Sequence, residues 1–341
     1  MKVLVTGGTG YIGSHTVVEL QEEGYEVIII DNLSNSKEEV VSRIEMITGI
    51  KPLFEKLDLC DTSQLKKFFE KHSDIESVIH FAAFKAVNES VREPMMYYRN
   101  NVVGMINLLN ELVKRNIFNF VYSSSCTVYG EADRLPVSEE SPIKKSESPY
   151  GFTKQIGEQM LFDLAKISPL RSIILRYFNP TGAHDSALIG ELPIGVPNNL
   201  VPYITQTAIG IREVLTINGN DYDTPDGTNI RDYIHVVDLA RAHVVSLKKL
   251  SDKKNENNIE VFNLGTGRGN SIMEVIKSFE EVSGIELKYK VGPRRNGDVV
   301  SIYSDTKKAN EVLGWKAERD LRNMMLTSWE WEKALCKSIE K

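Results

Sequence analysis

The chain has 341 residues, room at about 150 residues per domain for roughly two domains or one large α/β unit with an appended lobe. Hydrophobic residues are 41% and charged residues 26%, ordinary proportions that exclude a disordered or fibrous chain. With 41 basic and 47 acidic side chains the formal charge is −6, which lacks the footprint of a nucleic-acid binder but leaves room for a local anion site. Residues 3–5 form a short apolar run, predicted as a buried strand. A glycine-rich turn follows, then a predicted helix over 14–23 and a second strand over 25–30, ending at Asp31. That order is a βαβ unit. The alternation continues, with strands predicted over 53–57, 77–81, 118–123 and 172–177, and helices over 63–71, 95–115 and 150–166. Strands alternating with helices imply a parallel sheet covered on both faces.

After Asn179-Pro180 the texture changes. Residues 181–230 carry many Gly, Pro and Asn, and read as the start of a smaller, loop-rich lobe. Helices are predicted over 236–249 and 271–283 and a short strand over 261–264. Residues 251–258 hold no apolar side chain and read as a surface loop. No long flexible linker separates the two regions, so the lobes are expected to interleave.

Cys60, Cys126 and Cys336 are far apart, odd in number, and form no CxxC or metal-ligand pattern. A reducing, cytoplasmic setting without a metal site fits that usage. No stretch approaches the roughly 20 apolar residues of a membrane span. The short apolar run at the start is broken by Thr6-Gly7-Gly8, unlike a signal peptide.

The glycine turn reads Gly7-x-x-Gly10-x-x-Gly13. In such a turn one glycine adopts unusual φ/ψ, one lets a phosphate approach the backbone, and one lets helix and strand pack closely. The helix that follows points its first N–H groups at a diphosphate. A glycine triplet alone is weak evidence, but this one follows the first strand and opens a helix. Asp31, at the end of the next strand, suits the adenosine ribose hydroxyls and would repel a 2′-phosphate. Asn32, Leu33, Ser34, Asn35 and Ser36 follow it without an Arg, which favours NAD over NADP. The expectation is a Rossmann-type doubly wound parallel sheet over 1–180, with a smaller, loop-rich α/β substrate-binding lobe over 181–341, some of whose segments interleave with the first domain.

Tyr150 and Lys154 lie four apart at a predicted helix start, and so on one face. A free phenol near pKa 10 is a poor base at neutral pH. A nearby ammonium and a positive nicotinamide favour the phenolate, which takes a proton from a sugar hydroxyl as hydride leaves the same carbon. Ser123-Ser124-Ser125 ends the preceding strand, where an open α/β sheet presents its site.

The glycine triplet, Asp31, Asp58, Phe81-Ala82-Ala83, Ser125 and Tyr150-x-x-x-Lys154 resemble the extended short-chain dehydrogenase/reductase superfamily. Further segments resemble its UDP-glucose 4-epimerase family. They include SSSCTVYG over 123–130, Arg176-Tyr177-Phe178-Asn179-Pro180, Arg231-Asp232-Tyr233-Ile234-His235 and the run from Pro293 to Asp298. The resemblance covers nearly the whole chain. It implies NAD held by Gly7, Gly10, Tyr11, Ile12, Gly13, Asp31 through Ser36, Asp58, Leu59, Phe81, Ala82, Ala83, Lys85, Asn100, Tyr150, Lys154 and Phe178. It implies Ser125, Tyr150 and Lys154 as catalytic residues. It also implies a UDP-sugar held by Asn179, Asn199, Arg231, Arg295 and Asp298, with Lys85, Ser125, Tyr150 and Ile302 around the sugar. The implied reaction interconverts UDP-glucose and UDP-galactose at C4 through a 4-keto sugar, in a homodimer.

Two positions depart from the family pattern: Asp185 stands where Pro is frequent, and Phe152 where small or charged residues are usual. Ile302 occupies a place where some relatives carry Tyr, which bears on whether an N-acetylated UDP-sugar is also accepted. A 4,6-dehydratase needs an acidic pair where this chain has Cys126 and Thr127, which disfavours it. A non-catalytic NAD-sensing protein on this fold commonly lacks the Tyr or the Lys, and both are present here. A 4-epimerase of a UDP-pentose or UDP-uronate stays open as the alternative.

Overall fold

The computed structural model describes residues 1–295 and 298–339. Asn296 and Gly297, within the run from Pro293 to Asp298, lie outside the described residues. The first half alternates strands β1 (Lys2–Thr6), β2 (Glu26–Asp31), β3 (Leu53–Lys56), β4 (Ser77–His80), β5 (Asn119–Ser125) and β6 (Arg171–Tyr177) with helices. The helices are α1 (Tyr11–Glu22), α2 (Glu39–Thr48), α3 (Thr62–Lys71), the short α4 (Val87–Arg92) and α5 (Pro94–Tyr97), then α6 (Gly104–Lys114) and α7 (Pro149–Ile167). The helix expected over 95–115 starts at Pro94 and passes through a wide π turn, Tyr98–Val103, between α5 and α6.

β7 (Asn179–Thr181), α8 (Leu200–Ala208), β8 (Leu215–Asn218) and β9 (Ile230–His235) come next. Then follow α9 (Val236–Ser251), β10 (Ile259–Leu264), β11 (Gly269–Ser271), α10 (Ile272–Ser283), β12 (Tyr289–Gly292), β13 (Ser301–Ile302) and α11 (Leu321–Ile339). Seven strands form one sheet in the order β10-β6-β5-β4-β1-β2-β3. Each neighbouring pair in it is parallel. The edge strand β10 is drawn from beyond β9, so the chain leaves for the second lobe and returns to complete the sheet. A second sheet joins β11, β9 and β13, with β7 also on β9.

Side chains alternate across the large sheet, as the two-residue period of a strand requires. Val3 and Val5 of β1 point into one core with Val17, Ile29, Val121 and Leu239, under α1 and α9. Leu4 points into the opposite core with Ile28, Phe68, Leu108, Phe120 and Leu161, under α3, α6 and α7. The strands are therefore apolar on both faces, the pattern expected of a buried parallel sheet. The second lobe has its own core of Val201, Ile204, Ile217, Val275, Phe279, Met325 and Trp329. Its α10 starts on a capping box, with Ser271 and Glu274 satisfying each other's backbone N–H groups. Asp185, one of the two departures from the family pattern, receives both Nη atoms of Arg319 at 2.7 Å. Phe152, the other, is exposed and meets Tyr98 edge-on.

Candidate active site

A cleft of about 590 Å³ opens at the C-terminal end of the large sheet, within the size range of small-ligand sites. Its floor is the turn between β1 and α1. Gly7 has φ of +72°, and a Cβ there would lie 2.7 Å from the Ala82 backbone N. At Gly13 a Cβ would lie 2.2 Å from the Gly7 carbonyl oxygen. These two glycines let the turn, β4 and α1 approach closely. Helix α1 begins at Gly10 with no side-chain cap and no acidic residue in its first turn. Its first N–H groups are therefore available to an anion.

Asp31, at the end of β2, is held in place on the cleft wall. It accepts from the backbone N–H groups of Thr9 at 3.3 Å and Leu33 at 2.9 Å, and from Ser36 Oγ at 3.2 Å. Leu33 itself has a left-handed φ of +61°, which turns the chain after this bond. Asp58 accepts from Cys60 N at 2.8 Å and from Asn32 Nδ2 at 3.3 Å. The glycine cradle, the uncapped helix and this anchored carboxylate together fit a dinucleotide. Gly7, Gly10, Tyr11, Ile12, Gly13, Asp31, Asn32, Ser34, Asn35, Ser36, Asp58 and Leu59 all line the cleft. So do Phe81, Ala82, Ala83, Lys85, Asn100, Tyr150 and Lys154. Leu33 contributes its backbone but is not among the lining residues.

Helix α7 begins where Ser148 accepts from Gly151 N at 3.1 Å and Pro149 takes the first helical position. This fixes Tyr150 in the first turn and Lys154 one turn later, both buried at the cleft. The Lys154 ammonium donates to the Ser123 carbonyl at 2.7 Å and lies 6.0 Å from the Tyr150 ring centre. Burial brings the Lys154 pKa down to about 8. The Tyr150 phenol is pushed well above its ordinary range, first by burial and then by the neighbouring Tyr177, while a hydrogen bond with Ser125 pulls the other way. The sequence predicts a phenol activated by the adjacent ammonium and a positive nicotinamide together. Among the chain's own groups, desolvation is the largest influence on both Tyr150 and Lys154.

Ser125, Phe178, Asn179, Arg231, Asp298 and Ile302 lie off the main cleft. Ser125 ends β5 and accepts from Thr127 N at 3.3 Å. Arg231 stands on β9, with Nη1 donating to Ile230 O at 2.8 Å and Nη2 3.7 Å from Asp298. Its charge reaches Cys126, the residue after Ser125, so this cluster borders the end of β5. Asn179 of β7 pairs with Tyr233 of the same β9. Arg295 and Asn199 line the cleft. Ile302 is 7% exposed, in a cluster with Val128, Tyr129, Val137 and Phe178.

The structure adds residues that no spacing in the sequence pointed to. Tyr177, the last residue of β6, lines the cleft and accepts from Ser123 Oγ at 3.0 Å. Its place at a strand C-terminus is a signal that was available. Glu191 accepts from Lys85 Nζ at 2.8 Å and from Asn199 Nδ2 at 2.6 Å, linking a residue of each lobe. Nothing local in the sequence marks it.

The comparisons with known proteins fit this geometry. The family described as GDP-mannose 4,6 dehydratase matches residues 4–327. A UDP-glucose 4-epimerase of Haemophilus influenzae is 50% identical over 334 residues, 98% of each chain. The chain belongs to the UDP-glucose 4-epimerase family. Solved structures of the family superpose closely. That of the UDP-glucose 4-epimerase from Stenotrophomonas maltophila, with bound NAD and formylated UDP-arabinopyranose, has a TM-score of 0.95 at 46% identity over 99% of both chains. That of the Bifidobacterium longum enzyme, in complex with NAD⁺ and UDP, has a TM-score of 0.93 at 44% identity over 98% of both. UDP-glucose 4-epimerases thus share the large sheet and the second lobe with this chain.

Proposed function

We propose that this chain interconverts UDP-glucose and UDP-galactose at C4, with tightly bound NAD. The observation that carries this reading is the shared cleft: Tyr150 and Lys154 open on the same space as the glycine cradle and Asp31. Membership of the epimerase family supports it. Gly7, Gly10, Gly13 and the first turn of α1 would hold the NAD diphosphate, and Asp31 the adenosine ribose. When bound there, NAD supplies hydride acceptance and return at the sugar C4.

Tyr150 takes the proton of the C4 hydroxyl and gives it back after the 4-keto sugar has turned over. Burial alone holds this phenol too high for a base at neutral pH, so deprotonation depends on positive charge gathered at the site. Lys154 contributes that charge from one helical turn away. Ser125, hydrogen-bonded with Tyr150, steadies the reacting hydroxyl. Arg231 and Arg295 hold the UDP diphosphate, a task that suits the guanidinium fork. Asp298 holds the uridine ribose, while Asn179, Asn199 and Lys85 border the sugar. A firmly held UDP lets a loosely held hexose present either face, so remote binding energy retains the intermediate.

No helix among the described residues is long and apolar enough to cross a membrane. The free thiols of Cys60 and Cys126 suit the reducing cytoplasm, where we place the protein. Val103 and Ile106 in and beside α6, and Phe152 and Phe162 on α7, are exposed apolar residues of neighbouring helices. They suit burial against a second copy, so a homodimer is expected by sedimentation. The deciding experiment is conversion of UDP-glucose to UDP-galactose by purified protein without added NAD. Absence of conversion, with NAD present in the protein, would refute the activity.

A further inference from the structure

Glu158 takes no part in the chemistry above, yet it is buried directly behind it. Its side chain is 3% exposed and that of Arg176 is 4%. Arg176 donates from Nε to Oε1 at 2.9 Å and from Nη2 to Oε2 at 2.6 Å, and Ser124 Oγ donates to Oε1 at 2.6 Å. The guanidinium also donates to Tyr129 Oη at 3.0 Å, and that hydroxyl donates to Asn263 at 2.6 Å. A buried ion pair is a weak source of stability, because desolvation offsets most of the attraction. Its position supplies a better reason for it. Lys154 and Glu158 are four apart on α7 and share a face. They grip consecutive residues of β5, the Ser123 carbonyl and the Ser124 hydroxyl, immediately before Ser125.

We propose that Glu158, clamped by Arg176, is a positioning residue that keeps the Lys154 ammonium charged and fixes the end of β5 that carries Ser125. The proposal rests on the epimerase reading of the site. The groups around Lys154 are Tyr150 on its own helix, Tyr122 of β5 with its ring centre 5.1 Å away, and His80 of β4, which senses the ammonium charge. Burial holds both phenols well above their ordinary range and takes His80 down to about 3, so all three are neutral near pH 7. Glu158 is the charge that opposes the effect of burial on Lys154, with Arg176 on its other side. An amine loses its charge as pH rises through its pKa. Removing the Glu158 charge lowers that pKa, so the loss begins at lower pH.

The test uses NAD-loaded protein labelled with ¹⁵N-lysine. It compares wild type with Glu158→Gln, Glu158→Asp and the neutral pair Glu158→Gln with Arg176→Gln. In Glu158→Gln, the Lys154 Nζ titration and the alkaline fall of kcat should both move down by about one pH unit. Glu158→Asp retains the charge and should restore both. The neutral pair leaves no orphan charge and should also titrate lower, which keeps the proposal open to refutation where the single variant does not fold. A loss of kcat with an unmoved Lys154 titration would overturn it. If wild type fails to epimerise while the titration still moves, the activity is wrong and the role of Glu158 toward Lys154 stands.

Discussion

Replacing Gly13 with alanine probes the cofactor cradle most directly. The added Cβ would lie 2.2 Å from the Gly7 carbonyl oxygen and 2.9 Å from the Gly8 Cα, where ordinary contact is 3.4–4 Å. Both obstacles are backbone, so no change of rotamer relieves them. Helix α1 must instead retreat from β1 by more than about 1 Å, a displacement on the scale that core packing resists. Overpacking of this kind costs typically about 1–3 kcal/mol, and a clash with backbone belongs at the upper end. At about 2 °C per kcal/mol for a large domain, Tm should fall by roughly 4–6 °C. The retreat also draws the first N–H groups of α1 away from the diphosphate. Losing one charge-assisted bond of about 1.5–3 kcal/mol weakens NAD binding roughly 10- to 100-fold. Gly10→Ala is the milder control for the melting curve alone, since its Cβ meets only the Gly7 oxygen, at 3.1 Å. The assay measures nucleotide released on denaturation, per protomer, beside the melting curve. Wild-type NAD content with an unchanged Tm in Gly13→Ala would refute the packing argument.

Three further outcomes are expected. Tyr150→Phe keeps the ring and removes the proton acceptor, so turnover should drop by about 10²–10⁴-fold with UDP affinity nearly unchanged; near-wild-type turnover would sink the mechanism. Arg231→Ala and Arg295→Ala should each weaken UDP binding roughly 10- to 100-fold by calorimetry while NAD content holds, and a variant that loses NAD instead places that Arg at the cofactor. Ile302→Tyr should suppress turnover of UDP-N-acetylglucosamine more than that of UDP-glucose, read as a ratio of kcat/KM values. An equal loss on both would mean that this position, packed against Phe178, does not gate the pocket.

What the sequence showed best was chemistry confined to short spacings. The glycine turn and the pair Tyr150 and Lys154 are legible because one strand-to-helix turn and one helical turn place them, whatever the rest of the chain does. Asp31 is legible for the same reason, as the end of a strand. Tyr177 carries the local mark of a strand C-terminus, whereas Glu191 joins the cleft only through the path of the second lobe, so no local pattern marks its company. The balance of electrostatics is hidden from spacing for a similar reason. Spacing shows that Lys154 is near Tyr150, but not that both are desolvated, and burial decides the direction of each shift. The element boundaries fared well in the apolar strands. They fared less well over 95–115, where the π turn resets the helix.

Strand β10 completes the large sheet by pairing with β6 along Ser172 to Tyr177. During synthesis, β6 emerges from the ribosome long before its partner, with the whole of 178–258 still to be translated. Until then one edge of β6 has no neighbour, and α9 is not yet there to cover β5 and β6. A nascent chain in that condition offers an unpaired, apolar strand to any other chain it meets. Fragments that stop near residue 180 should therefore aggregate when expressed alone, and a fusion partner would protect them only by solubilising that open edge. The two lobes are then not independent modules for exchange between relatives, because a graft at residue 181 would replace the outermost strand of the recipient's sheet together with the second lobe.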